Sequence, residues 1–161
     1  NMGNAVGISP VLQLYKKGVL IGLGTDAYTN DMLESIKVAL CSQRHNACMP
    51  NVGWCEVTDM LFRNNAKMAE RTGFPTLGVL KPGAAADVIV MDYKPFTPFS
   101  DANIDGHMLF GMTGRQCQTT MINGRILMKD RVLTEIDEEA VNAHILESSK
   151  RLWGRLNHKE Y

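Results

Sequence analysis

The 161-residue sequence predicts a mixed α/β fold, and three patterns support this class. The uniform run of small and apolar residues from Gly18 to Gly24 directly follows a predicted helix and is typical of a strand buried on both faces in a parallel sheet. The Asn123-Gly124 pair joins two apolar runs, as in a β-hairpin with a type I′ turn. A last amphipathic helix is predicted after Asp137, and its apolar stripe is expected to dock on its own protein, with a partner as the alternative.

Helices are predicted on both sides of the apolar strand in the first half of the chain. Ser9 is expected to cap the first helix, with Pro10 at its first position. Asp31 is expected to cap the second, with Glu34 at the capping-box position. A third helical stretch is predicted from about residue 57 to residue 71.

The second half of the chain has a different character. A turn-rich segment, 77–83, leads into a predicted strand over 86–91, and the hairpin follows. We therefore expect a boundary near residue 76, with a β/α part over 1–75 and a small β part with a terminal helix over 76–161. One parallel strand leaves both of its edges unpaired, so a missing N-terminal region or another chain is expected to supply its neighbours.

Composition excludes several classes of function. Seventeen basic residues balance seventeen acidic residues, so no long-range field favours nucleic acid or an anionic membrane. No apolar run approaches the roughly 20 residues that span a bilayer, and the N-terminus shows no signal-peptide pattern. The four cysteines form no C-x-x-C pair, which favours a reduced, cytoplasmic chain. Because the first residue is not Met, a processed product, an expressed segment and a piece of a longer protein all remain open.

Asp26 stands where the apolar strand ends and its loop begins. Polar side chains at the C-terminal ends of parallel strands commonly serve chemistry, because the strand holds them at the mouth of a pocket. A carboxylate in this place can bind a metal or accept a proton. It can also cap a turn or pair with a lysine, and the position alone leaves these alternatives open.

Other polar residues have simpler interpretations. Cys41, His45 and Cys48 share one helical face, which suits either a metal cluster or, more commonly, an ordinary mixed surface. His107 is expected to have a hydrogen-bonded structural role. Asp87, at the entry to a strand, is expected to accept hydrogen bonds from turn amides.

Two motifs and the spacing between them resemble the amidohydrolase superfamily. Leu23–Asp26, after the helix that starts at Ser9-Pro10, resembles the last two β/α units of the superfamily's barrels. Leu77–Asp92, which contains the Pro82–Asp87 motif, resembles the re-entry into its small β domain, and the Asn123-Gly124 hairpin resembles the strand pair that closes that domain. Within the superfamily, the chain is most similar to the branch of chlorohydrolases and guanine deaminases. Residues 92–98 and 103–111 resemble the SsnA-type aminohydrolases linked to selenium metabolism.

The resemblance implies the C-terminal part of a (β/α)8 metal-dependent hydrolase barrel, part of a small β-sandwich (composite) domain and a terminal helix. It implies hydrolytic deamination, or related C–N or C–Cl hydrolysis, by a metal-activated water. Asp26 then corresponds to the Asp after the eighth barrel strand, which contacts a divalent metal, zinc or iron, and accepts a proton from its water. Asn1 and Met2 resemble the loop after strand seven and are expected to contact substrate or to form a turn.

The sequence also departs from the family. It contains four histidines but no His-x-His pair. Because a catalytic zinc needs about three protein ligands, the isolated chain is expected to be inactive, with metal ligands supplied from elsewhere. Ala27 stands where the family often has glycine.

Two functions therefore remain open for the chain. One is the C-terminal portion of a metal-dependent hydrolase. The other is a non-catalytic module or a subunit that completes another chain. The expected partners are a small heterocyclic substrate and either a second copy or the missing N-terminal portion, with no nucleic acid and no membrane.

Overall fold

The structure is a computed structural model, which describes residues 4–158. The helices are α1 (Val11–Lys16), α2 (Met32–Ala47), α3 (Trp54–Asp59), α4 (Asn65–Arg71), α5 (Ile104–Gly106) and α6 (Glu138–Asn157). A π turn, Met60–Asn64, joins α3 to α4, and a second π turn, His107–Gly111, follows α5. The strands are β1 (Val88–Met91), β2 (Cys117–Ile122), β3 (Arg125–Lys129) and β4 (Val132–Leu133), with a 3-10 turn, Gly114–Gln116, before β2.

The four strands form one antiparallel sheet in the order β1-β2-β3-β4. The predicted hairpin between β2 and β3 is confirmed, because Asn123 and Gly124 both have positive φ, +49° and +79°, as a type I′ turn requires. Oδ1 of Asp87 accepts a hydrogen bond from the amide of Asn123 at 2.7 Å, so the predicted role of Asp87 in satisfying a turn amide is also confirmed.

The core lies among the helices. Ile36 and Leu40 of α2 pack with Val57 of α3 and Leu109 of the second π turn, and all four are fully buried. Removing most of one such side chain typically costs about 2–5 kcal/mol. This small cluster therefore places α3 and the second π turn against α2.

Helix α2 begins at the carboxylate that the sequence predicts. Oδ1 of Asp31 accepts the amides of Leu33 at 2.9 Å and Glu34 at 3.2 Å, which confirms the cap. In the predicted capping box the Glu34 side chain does not accept the Asp31 amide directly. The Thr29 hydroxyl lies between them, donating to the Glu34 carboxylate at 2.7 Å and accepting the Asp31 amide at 3.1 Å. Oδ2 of Asp31 accepts the amide of Gly114 at 2.7 Å. One side chain thus joins the start of α2 to the segment that enters β2.

Helix α1 starts one residue later than the Ser9 cap predicts. Pro10 is the N-cap, and no side-chain hydrogen bond closes the first turn. The carbonyl of Ser9 instead accepts a hydrogen bond from the side-chain amide of Gln43 at 3.0 Å, which ties this end of α1 to α2.

The third predicted helix ends at Arg71 as expected but begins earlier, at Trp54. Its start is set by Gly53, whose φ of +82° lets the preceding loop turn directly into the helix. The sequence pattern therefore located the end of this helix better than its beginning.

The predicted strand over residues 18–24 does not form in the described part of the chain. The segment has no ladder partner within 4–158, and Val19 remains 47% exposed. The physical reason is that a strand exists only through hydrogen bonds to neighbours, and no parallel neighbour is present among these residues. The segment has the sequence pattern of a buried strand, but no strand of the described residues lies beside it to form a sheet.

Helix α6 is capped as predicted, since Oδ1 of Asp137 accepts the amide of Ala140 at 3.0 Å. Residues 4–158 do not bury its apolar stripe, since none of its residues is buried, so the expectation that the stripe docks on its own protein stays a prediction. Trp153 is 60% exposed and Ile145 is 52% exposed. Among residues 4–158 no helix has the length and apolar character that crossing a membrane requires.

Candidate active-site loop

Asp26 lies in a tight turn. The amide of Tyr28 donates to the carbonyl of Thr25 at 3.0 Å, and the two central residues, Asp26 and Ala27, have φ of +53° and +55°. Positive φ at both central positions is the signature of a type I′ turn. The chain reverses sharply here, and Asp26 stands at the tip.

The carboxylate of Asp26 is exposed and meets no hydrogen-bond or ion-pair partner among the described residues. Neither of the structural alternatives, a turn cap or a lysine pair, occurs in this part of the chain. The carboxylate is thus available to a ligand or a proton donor.

Two asparagines hold the segment that leads to Asp26. Asn65 pairs with both peptide groups of Leu23: Oδ1 accepts the Leu23 amide at 3.0 Å, and Nδ2 donates to the Leu23 carbonyl at 2.8 Å. Nδ2 of Asn64, a buried residue, donates to the carbonyl of Ile21 at 2.9 Å. These side chains supply some of the hydrogen bonds that a neighbouring strand would otherwise provide.

Gly22 is part of the same arrangement. A Cβ at this position would lie 2.2 Å from Oδ1 of Asn65 and 2.8 Å from the sulfur of Met68, so glycine leaves the space in which the Asn65 amide lies. The sequence reasoning missed Gly22, Asn64 and Asn65. A signal was present, because two consecutive asparagines in an amphipathic helix are unfavourable there and commonly bond to backbone elsewhere.

The remaining candidates do not join Asp26. Asn1 and Met2 lie outside the described residues. Cys41, His45 and Cys48 lie at the end of α2, where the Cys48 thiol donates to the His45 carbonyl at 3.6 Å. No group of three metal-ligating side chains is found within residues 4–158, which favours the ordinary mixed surface for this trio.

His107 is a buried histidine with partners on both ring nitrogens. Its Nδ1 lies 2.6 Å from the Tyr93 hydroxyl and its Nε2 lies 3.2 Å from the Thr97 hydroxyl. The ring also packs against Phe99 at a centroid distance of 5.1 Å. This environment confirms the predicted hydrogen-bonded structural role, and it ties the second π turn to the loop after β1.

Tyr15 links α1 to the helix that carries the asparagines. Its hydroxyl donates to Oδ2 of Asp59 at 2.6 Å, and this hydrogen bond, together with burial and the negative charge of Asp59, raises the pKa of Tyr15 above its ordinary value. Arg63, one turn further along, forms an ion pair with the same carboxylate.

We expect Tyr15→Phe to lower the free energy of unfolding by about 1 kcal/mol at neutral pH, because one hydrogen bond to a charged acceptor is lost. Since the folded-state pKa of Tyr15 is raised, the contribution is fully present below the unfolded pKa of about 10 and is lost as pH rises through the folded value. Urea unfolding at intervals from neutral pH upwards checks this. A difference between the two proteins that persists unchanged well above pH 10 would contradict it.

Comparison with known proteins places the chain. The profile of the amidohydrolase family matches residues 1–127. This chain belongs to the amidohydrolase family. The expected mixed α/β class is also confirmed, because the chain contains both helices and strands and shares its fold with solved structures of an adenosine deaminase and a chlorohydrolase.

Among curated relatives in the family, the 5'-deoxyadenosine deaminase of Methanosarcina barkeri is 32% identical over 98% of this chain and 37% of its own length. The 5-methylthioadenosine/S-adenosylhomocysteine deaminase of Dictyoglomus thermophilum is 30% identical over 94% of this chain and 35% of its own length. The chain therefore spans little more than a third of the relatives that it matches.

Two solved structures share the fold. A zinc-bound adenosine deaminase from Xanthomonas campestris superposes with a TM-score of 0.77 at 17% identity, covering 93% of this chain and 35% of the other. The zinc complex of atrazine chlorohydrolase TrzN from Arthrobacter aurescens superposes with a TM-score of 0.62 at 25% identity, covering 86% and 31%.

The zinc of these neighbours poses a question about ligands. A catalytic zinc needs about three protein ligands and an open position. Asp26 offers one carboxylate of suitable chemistry, but residues 4–158 contain no group of three that could hold a metal. The described part of this amidohydrolase chain does not form a complete metal site by itself.

Ala27 has a left-handed φ of +55°, which favours glycine. We expect Ala27→Gly to raise the free energy of unfolding by about 0.5–1 kcal/mol, because an L-residue is strained in this region. Thermal unfolding checks the sign. Ala143→Gly, at an exposed position inside α6, is the matched control and is expected to destabilise by about 1 kcal/mol. A loss of stability in both variants would contradict the strain at Ala27.

Proposed function

We propose that this chain is the C-terminal portion of a metal-dependent hydrolase acting on carbon–nitrogen bonds other than peptide bonds. The observation that carries the proposal is the position of Asp26: a partner-free carboxylate at the tip of a tight turn, on a segment held by two buried or half-buried asparagines. In the complete enzyme a divalent metal, zinc or iron, would supply an acidified water. Asp26 would be one of the groups that hold the metal and the group that accepts a proton, and the other ligands would come from outside this chain.

The proposed reaction is hydrolytic deamination of an amino-substituted heterocycle. The support comes from the curated relatives, which are named as deaminases of adenine nucleosides and match nearly the whole chain. An adenine nucleoside is therefore the first substrate class to assay. Carbon–chlorine hydrolysis is the second candidate, supported by the fold shared with atrazine chlorohydrolase. The resemblance to SsnA-type proteins lies in residues 92–98 and 103–111. It supports the proposed branch of the superfamily, that of chlorohydrolases and aminohydrolases, and does not support any particular substrate.

The alternative is a non-catalytic module or a subunit that completes another chain. It is favoured by one observation, the incomplete set of metal ligands among residues 4–158. We propose a cytoplasmic location, no nucleic-acid or membrane partner, and association with either a second copy or the portion that bears the remaining ligands.

The test compares two samples. The first is the polypeptide expressed from the complete reading frame that contains these residues, assayed with zinc for ammonia release from 5'-deoxyadenosine and for chloride release from atrazine. The second is residues 1–161 alone, with its metal content measured by plasma mass spectrometry.

We expect ammonia release from the first sample, and neither activity nor stoichiometric metal from the second. Absence of both ammonia and chloride release from the first sample would support the non-catalytic alternative. One metal per chain in the second would contradict the ligand argument, and Cys41, His45 and Cys48 would then be the first residues to replace.

A further inference from the structure

We propose that Asn65 is a positioning residue for Asp26: its side-chain amide pairs with the backbone of Leu23 and thereby sets where the Asp26 turn begins. This inference rests on the proposed function of Asp26. It assigns to Asn65 no contact with substrate or metal.

The pairing between Asn65 and Leu23 has the form of a ladder contact. A residue in a sheet donates its amide and offers its carbonyl to a partner backbone that presents both an acceptor and a donor. The amide group of Asn65 presents the same pair, at 3.0 Å and 2.8 Å from the Leu23 nitrogen and oxygen. A segment with the pattern of a strand therefore has one residue paired as in a sheet without a sheet beside it.

Two further features reinforce this contact. Asn64 donates to the Ile21 carbonyl at 2.9 Å. Two consecutive residues of the helix, Asn64 and Asn65, therefore form hydrogen bonds with Ile21 and Leu23, which are two positions apart in the segment. Gly22, between the two bonded residues, leaves the room that the Asn65 amide occupies. Asn64 ends the π turn, and such a turn changes the directions of successive side chains relative to a regular α-helix and often occurs at functional sites.

The turn at Asp26 is held from both ends. On the far side, Thr29 and Asp31 are bonded into the cap of α2. On the near side, Asn65 forms the hydrogen bonds to Leu23, and Leu23 lies three residues before Asp26. At about 3.5 Å per residue, this length of chain lets Asp26 move at most about 10 Å from Leu23. Releasing Asn65 frees one end of the turn while the other end stays fixed. The carboxylate then samples positions that miss its target, and misplacement of about 1 Å can cost a large factor in rate.

The test uses Asn65→Ala, with Lys67→Ala on the same helix as the matched control, since Lys67 is exposed. In the complete polypeptide we expect Asn65→Ala to lower kcat for ammonia release by about tenfold or more with KM changed by less than about twofold. Lys67→Ala is expected to leave both constants unchanged.

The second readout does not depend on activity. In residues 1–161, hydrogen exchange of the Leu23 amide is expected to accelerate by about tenfold or more in Asn65→Ala, whereas exchange of the Leu40 amide in the core stays unchanged. Gly22→Ala is expected to reproduce the effect by displacing the Asn65 amide. The double variant Gly22→Ala/Asn65→Ala is then expected to be no worse than Asn65→Ala alone, because both changes remove the same contact.

Two results would overturn the inference. One is an unchanged kcat in Asn65→Ala together with a large loss in Asp26→Asn, which leaves the role of Asp26 intact and removes that of Asn65. The other is equal acceleration of exchange at Leu23 and Leu40, which shows a general loss of stability. Retained activity in Asp26→Asn is a different outcome, because it overturns the proposed function itself.

Discussion

Asp26→Asn is expected to lower ammonia release by the complete polypeptide by about a hundredfold or more. A positioned proton acceptor contributes roughly 10²–10⁴ to a rate, and the neutral amide neither accepts the proton nor matches a carboxylate as a metal ligand. The substitution is close in size and shape to the native side chain. The measurement is kcat/KM for ammonia release from 5'-deoxyadenosine.

The fold is expected to survive this change. Asn is among the few residues other than glycine that adopt positive φ readily, so the +53° at this position is retained. No hydrogen bond or ion pair of the described residues is lost. Asp101→Asn, at another exposed aspartate in a turn, is the matched control and is expected to retain full activity. A value of kcat/KM in Asp26→Asn within about twofold of the native protein would refute the proposed role.

Asp31→Ala is expected to lower the free energy of unfolding by about 3 kcal/mol. The loss of an N-cap costs about 1 kcal/mol, and the loss of a hydrogen bond to a charged group costs about 1.5–3 kcal/mol. Both are lost here, because Asp31 caps α2 and accepts the Gly114 amide at 2.7 Å. Gly114 itself has no room for a side chain, since a Cβ would lie 2.9 Å from the Asp31 carboxylate. Urea unfolding measures the difference.

Asp137→Ala is the matched control, because Asp137 caps α6 through Ala140 and is exposed. Its expected cost is about 1 kcal/mol or less. Asp31→Asn is expected to fall between the two, since the remaining oxygen can keep the cap while the amide nitrogen faces the Gly114 donor. Equal losses in Asp31→Ala and Asp137→Ala would show that the link to Gly114 contributes nothing.

The features that the sequence predicted well are those fixed by nearby residues. The Asn123-Gly124 turn depends on two residues that accept positive φ, and the caps at Asp31 and Asp137 depend on amides two or three positions away. Each of these interactions lies within one turn of chain. Local chemistry determined them, and the structure agrees.

The features that the sequence did not predict depend on distant contacts. Asn65 and Leu23 are 42 positions apart, and the sequence pattern of neither segment predicts a contact with the other. The strand predicted over 18–24 did not form for the same reason, because a strand also requires a neighbouring strand, and the described residues provide none. The position of Asp26 was therefore predicted, whereas the way in which the fold holds it was not.

Helix α6 has a practical consequence for work on this protein. Helix α6 has 20 residues and no buried side chain, so its packing contributes little to the stability of the core around Ile36 and Leu40. Opening or fraying there does not propagate to the Asp26 turn, because stability is distributed among separate cooperative units. The last turn of α6 is therefore a suitable attachment point for a fluorophore, which would report on assembly without disturbing the turn at Asp26.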